Sequence, residues 1–324
     1  MSIAPLELVA GQKVYVGGKF FSVKSSTVGE AVRSRGATTV RANRDGDVVI
    51  LGSHFTLGDV YAVKPEARVI FEHELSGALG LDAHRPDERI AAWVGRFSDM
   101  LRTLVHHPEV RLALVDLAKP ASGPQLARAK KALGGSLPDT LSALYATFGS
   151  WTVLWQYEKS PMRDEVENLQ RTIARLQHDW CVGQKYDGSL RILPLPRASG
   201  ANWRQALWGG PNDVLEQRLA QYVGRLGHAE LRLWLFDFFS EYAMANLEVE
   251  PERATVLYGT AHGADLDGSR PSTIEAYLDA IVASYLSVEA RHEMFSLGLG
   301  GDSTRRFEGP HANVDLDAGS HALG

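Results

Sequence analysis

Residues 126–151 read LARAKKALGGSLPDTLSALYATFGSW, and this stretch predicts two helices in quick succession followed by a strand. Leu126, Ala129 and Leu133 share one face at helical spacing, and Gly134-Gly135 ends that helix. Pro138 and Asp139 open the second, where proline lacks an N–H that the first turn cannot use and an acid complements the helix dipole. Leu141, Leu144, Tyr145 and Phe148 then line one side. Beyond Gly149, Trp151 and Trp155 stand four apart in an extended run, so both point to the same face of a strand.

Downstream, residues 190–195 (LRILPL) form a strand ending in a Pro-Leu pair. Residues 231–239, 243–249 and 255–260 follow as a three-strand meander. Helical periodicity also fits residues 231–245 through Trp234, Leu235, Phe238, Phe239 and Tyr242, but aromatic density and the alternation of Leu231, Leu233 and Leu235 favour strand. Residues 272–286 (STIEAYLDAIVASYL) close the region as a helix. Two further helices, 160–180 and 212–226, read as insertions, and after residue 296 a Gly-, Ser- and Asp-rich stretch offers little to bury. The residues Leu133, Gly134, Leu137, Pro138, Tyr145, Gly149 and Trp151, with the later strands and helix, resemble the SUKH superfamily. The match spans about 180 residues; it departs at Phe148, where the family usually has Asn, and lacks the Glu common in the first helix. The resemblance implies an α+β domain with an antiparallel, twisted sheet. It also implies an immunity role in bacteria, in which the domain binds and neutralises a toxin, often a nuclease.

Upstream, residues 86–107 predict an amphipathic helix striped by Ile90, Val94, Phe97, Leu101 and Leu104. Residues 1–81 alternate short strands (13–20, 38–42, 47–51, 68–71) with a helix over 26–35, capped by Ser25 or Ser26 and stopped at Gly36, and a short one through Leu75 and Leu79. The paired Gly17 and Gly18, the helix into Gly36-Ala37, VVILG ending at Gly52, then Ala62 and VIFEHEL resemble a BRCT domain. That resemblance implies a small α/β unit with a parallel sheet flanked by helices, used for protein interaction. Many members hold phosphopeptides through a Ser or Thr after the first strand and a Lys in the second helix. Here those positions match Gly17 and Gly58 or Tyr61, which predicts that phosphate is not read.

Charge excludes some functions. Residues 1–81 carry 9 Lys/Arg against 8 Asp/Glu, and the remainder 25 against 31. Neither part has the basic excess that phosphate-driven binding uses, so direct nucleic-acid binding is not expected. Cys181 is the only cysteine, which rules out an internal disulfide and a thiolate zinc site. The first residues lack the basic and apolar pattern of a signal peptide, and no apolar run approaches the roughly 20 residues that span a bilayer. A cytoplasmic protein is expected, with no membrane contact.

Chemistry-bearing patterns are sparse. His106 and His107 are adjacent and diverge on a helix, where ligation needs i and i+4. Asp265, Asp267 and Gly268 lack the remaining ligands of a calcium loop. Glu165 and Glu167 face different sides of their helix, Cys181 reads as a small buried hydrophobe, and no nucleophile elbow or phosphate loop occurs. No catalytic residue, cofactor or metal is therefore expected.

The seven tryptophans carry the site expectation. A large aromatic core accounts for them, and so does an aromatic protein-binding surface, because Trp and Tyr dominate interface hot spots. The partner-binding candidates are Trp203 and Trp208, in the glycine-rich SGANWRQALWGG, with Trp151 and Trp155. The organisation expected is an α/β unit over residues 1–82, a connecting helix over 83–108, an α+β domain over 109–296 and a mobile tail over 297–324. The first and third are expected to fold separately. The function expected is a non-enzymatic binder of a protein partner such as a nuclease-type toxin. The alternative is a DNA-repair or replication adaptor docking through the BRCT-like unit.

Overall fold

A computed structural model describes residues 8–132, 135, 137–158, 186–195, 233–237, 243–249, 254–260, 272–288 and 290–291. The chain is α+β and holds two sheets of different kind. The first takes β1 (Lys13–Gly17), β2 (Thr38–Val40), β3 (Val48–Leu51) and β5 (Arg68–Phe71) in the order β2-β1-β3-β5, all parallel. The second runs β12-β11-β10-β9-β8-β7-β6-β4 and is antiparallel throughout. Its strands are β4 (His54–Thr56), β6 (Val110–Leu117), β7 (Trp151–Tyr157), β8 (Gly188–Ile192), β9 (Leu233–Asp237), β10 (Ala243–Val249), β11 (Ala254–Thr260) and β12 (Ser272–Thr273).

Parallel strands covered on both sides read as continuous apolar runs, and β3 is one, with all four residues buried. Val48 and Ile50 face a core closed by α1 (Ser25–Ser34) and α3 (Leu75–Leu79). Val49 and Leu51 face the opposite way, into a second core that also takes Phe71, α4 (Ala91–His106) and the inner face of the antiparallel sheet. The helix α1 ends as the sequence predicts, with Gly36 at φ +79. Its N-cap is Lys24 and lacks a side-chain cap bond, so the predicted serine cap is one residue off.

The chain passes between sheets at Gly52-Ser53. A Cβ on Gly52 would lie 2.3 Å from the Lys19 carbonyl oxygen, so only glycine lets the two backbones approach there. β4 then pairs with β6, placing His54 opposite Asp116, Phe55 opposite Val115 and Thr56 opposite Leu114. A strand from within residues 1–82 thus completes the sheet of the following region, and the second core is continuous across residue 82. The expected boundary does not coincide with a gap between cores.

Helix α4 holds the seam. It starts at Ala91 rather than residue 86, because the preceding segment docks elsewhere: Asp87 N–H donates to Thr147 Oγ1 (3.0 Å) and His84 Nε2 to the Thr147 carbonyl (2.7 Å). On one side Arg102 Nε donates to the Val69 carbonyl (3.0 Å) and its guanidinium pairs with Glu74, closing the β5 edge. On the other, Trp93 Nε1 donates to the Leu278 carbonyl (2.8 Å) of α7 (Ile274–Ala283). Helices α5 (Gly123–Ala132) and α6 (Asp139–Thr147) and the meander lie where the sequence puts them. The predicted helices 160–180 and 212–226 and the tail lie outside the described residues.

Candidate functional site

Two of the four predicted binding tryptophans are corrected by the structure. Trp151 is 0% exposed and Trp155 is 1% exposed, so neither offers a surface to a partner. The spacing placed both on one face of β7, and that face is the one pressed against the helices. Trp151 meets Phe148 edge to face at 4.7 Å and Trp93 and Phe97 at 5.2 Å each. The Trp155 ring lies over Gly188, where a Cβ would approach it to 1.9 Å, and its Nε1 donates to the Tyr285 carbonyl (2.7 Å). Trp203 and Trp208 lie outside the described residues, as do Glu165, Glu167, Cys181, Asp265 and Asp267.

α2 (Leu57–Val60) carries Asp59, whose carboxylate reaches back over the sheet. Its Oδ1 accepts from the Gly18 N–H (3.0 Å) and the Tyr15 hydroxyl (3.2 Å), and its Oδ2 from the Thr56 N–H (3.0 Å) and hydroxyl (3.3 Å). Gly18 sits at φ +75, which turns its N–H towards this carboxylate. Burial, with the Asp59 charge second, pushes the Tyr15 hydroxyl up to about 12, so it stays a donor. An incoming phosphate would meet a like charge already holding the Gly18 and Thr56 N–H groups and the Tyr15 and Thr56 hydroxyls. Phosphoserine and unmodified forms of any bound peptide are therefore expected to bind alike in fluorescence anisotropy. Binding lost on dephosphorylation would contradict this.

Among the described residues an exposed aromatic group lies on the other side of α2. Tyr61 is 64% exposed, and the Arg111 guanidinium of β6 sits over its ring, 5.2 Å from the centroid. Arg111 also donates to Glu158 Oε1 at 2.7 Å. The pair borders a cleft of about 150 Å³ between α2, the end of α4 and the start of β6, with Leu57, Val63, Val105 and Leu112 in its walls. A guanidinium over an aromatic face is attracted by the ring quadrupole, and the contact fixes both side chains before any partner arrives. In the sequence Tyr61 stands only as a residue at or near the place of the family's phosphate-binding Lys, and nothing marks Arg111 as a partner for it. The signal for Arg111 was the run VRLALVDL, an eight-residue strand beginning two residues after Pro108.

His106 and His107 do not share a ligand position, and among the described residues no group of three or more His, Cys, Asp or Glu could hold a metal ion. No helix among them is long and apolar enough to cross a membrane. In comparisons with known proteins, no family model, no curated protein and no solved structure matches the chain.

Proposed function

We propose that the chain is a non-enzymatic protein-binding protein of immunity type, which captures and neutralises a basic, nuclease-type toxin in the cytoplasm. The observation that carries this proposal is the exposed Tyr61 with Arg111 stacked on it beside an apolar cleft. Tyr and Arg are enriched among the residues that dominate binding energy, and an anchor already held in place loses less entropy on docking. Tyr61 belongs to the BRCT-like unit and Arg111 to the SUKH-like one, so the surface joins the two proposed interaction modules. The resemblance of residues 126–151 and the strands beyond supports the immunity role. The acidic excess after residue 81 supports a basic partner, because opposite charge speeds encounter at low salt. Trp203 and Trp208 stay in the proposal as further anchors.

The test uses the full chain as bait in the lysate of its own organism, then reconstitution from purified components. The expected result is a stoichiometric complex with a basic nuclease whose activity is lost at equimolar ratio. Recovery of repair or replication proteins, with no nuclease inhibited, would favour the adaptor role and contradict the proposal.

A further inference from the structure

His73 lies in the short 3₁₀ turn Glu72–Glu74, at the seam between the sheets. It is 6% exposed, stacked on Phe71 (5.9 Å, 6°) and edge-on to Phe148 (5.7 Å). Its Nε2 is 2.7 Å from Ser98 Oγ, and that hydroxyl lies 2.9 Å from the Val94 carbonyl, within reach to donate to it. With the Ser98 proton on the Val94 carbonyl, Ser98 accepts from the ring, the imidazole proton sits on Nε2 and Nδ1 is a bare lone pair. Nδ1 is buried and has no hydrogen-bond partner among the described residues.

We propose that His73 makes this seam an acid-sensitive latch, in which one proton taken up at Nδ1 releases the Glu72–Leu79 segment from α4 and Phe148. A charged N–H at that position has no acceptor to turn to. The charged and titratable groups around it are Glu72 and Glu74 from its own turn, Arg102 from α4, and His84 from the chain after α3. Glu72 is held by the N–H groups of Phe21, Ser22 and Ser53 and by the Ser22 hydroxyl. Glu74 is held by Arg102 and the Phe71 N–H. Neither carboxylate can serve Nδ1 without giving up bonds that fix the same turn. Arg102 opposes a second cation, and His84 is tied to the Thr147 carbonyl. Burial dominates and holds the proton affinity of folded His73 below the ordinary 6.5. Between those two values the unfolded or opened state binds more protons than the closed one. The latch is thus at full strength above 6.5 and weakens as pH falls below it.

Amide hydrogen exchange of the full chain, corrected for intrinsic rates, reads the latch directly. Protection over residues 68–84 is expected to fall by up to about tenfold per pH unit below 6.5, the limit for one linked proton. His73→Phe keeps the ring stack and carries no proton, so its protection over the same residues should stay level. A flat profile in the wild-type chain, or the same fall in His73→Phe, would overturn the proposal. So would a fall abolished by His84→Gln but not by His73→Phe. If His73→Phe does not fold, ring ¹⁵N NMR of the wild-type chain decides. The proposal requires the Nε2–H form and loss of the native signal as pH drops, whereas smooth titration near 6.5 within the folded signal contradicts it.

Discussion

Glu72→Ala is expected to lower the unfolding free energy by about 4 kcal/mol, at the upper end of what single substitutions do. Glu72 is 1% exposed, and its carboxylate gathers two pieces of chain far apart in sequence. Phe21 N–H (3.0 Å), Ser22 N–H (2.6 Å) and Ser22 hydroxyl (2.6 Å) come from the loop after β1, and Ser53 N–H (3.0 Å) from the turn between the sheets. Bonds to a charged group contribute roughly 1.5–3 kcal/mol each, and an orphaned buried donor costs more than a bond never made. The sum is not additive, since the loop relaxes towards water once released. Glu72→Gln keeps the shape but turns an NH₂ group towards N–H donors, so it should fall between, at about 2 kcal/mol. Urea unfolding followed by tryptophan fluorescence measures both. An unfolding free energy for Glu72→Ala within about 1 kcal/mol of wild type would show that the network does not hold the passage between sheets.

The second large effect concerns the other end of the molecule. Asp237 at the end of β9 and Arg291 beyond α7 are both fully buried and meet at 2.6 Å. The Tyr277 hydroxyl donates to the same Asp237 oxygen (2.7 Å) and the Arg191 N–H to the other (2.7 Å), while Arg291 Nη2 reaches the Leu286 carbonyl (3.1 Å). Burial first, and the Asp237 charge second, hold the Tyr277 hydroxyl well above its ordinary value, so it remains a donor to that carboxylate. Arg291→Met removes the positive partner and leaves a buried charge, which costs about 3–5 kcal/mol. The double variant Asp237→Leu/Arg291→Met removes the desolvation penalty together with the attraction and should recover part of that loss, the rest going to the Tyr277 hydroxyl and Arg191 N–H left without their acceptor. Chemical denaturation of the two variants tests this. A double variant no more stable than the single would mean that the pair, together with the bonds Asp237 accepts from Tyr277 and Arg191, contributes more than its burial costs.

Parts of this architecture were plain in the sequence, because they rest on local chemistry. Arg68–Phe71 is β-branched and aromatic and ends where the acidic turn begins, so its strand was found to the residue. The meander was preferred over a helix on its alternation of leucines, and β9 and β10 pair accordingly. What stayed hidden depends on distant partners. The three residues of β4 are too few to show a strand pattern of their own; they extend because β6 pairs with them from beyond residue 108 and Lys19 bridges His54 from the other side. The tryptophan spacing told that Trp151 and Trp155 share a face, but the face is buried by α4, α6 and α7, which no local pattern reveals. A near-neutral charge count for residues 1–81 treated every carboxylate as solvated. Glu72 and Glu74 are buried and Asp59 is bound to Gly18, so three of its eight carboxylates are committed to holding the fold. The exposure of Tyr61 is hidden for the complementary reason: an exposed aromatic residue looks like a buried one until its surroundings are known.

The claim that the Tyr61 and Arg111 surface binds a protein partner is tested most directly by the affinity of the captured partner for Tyr61→Ala. Removing the ring is expected to weaken binding by about 2 kcal/mol, close to thirtyfold, with the melting temperature unchanged because the side chain is mostly in solvent. Wild-type affinity in Tyr61→Ala, with the fold intact, would contradict the account.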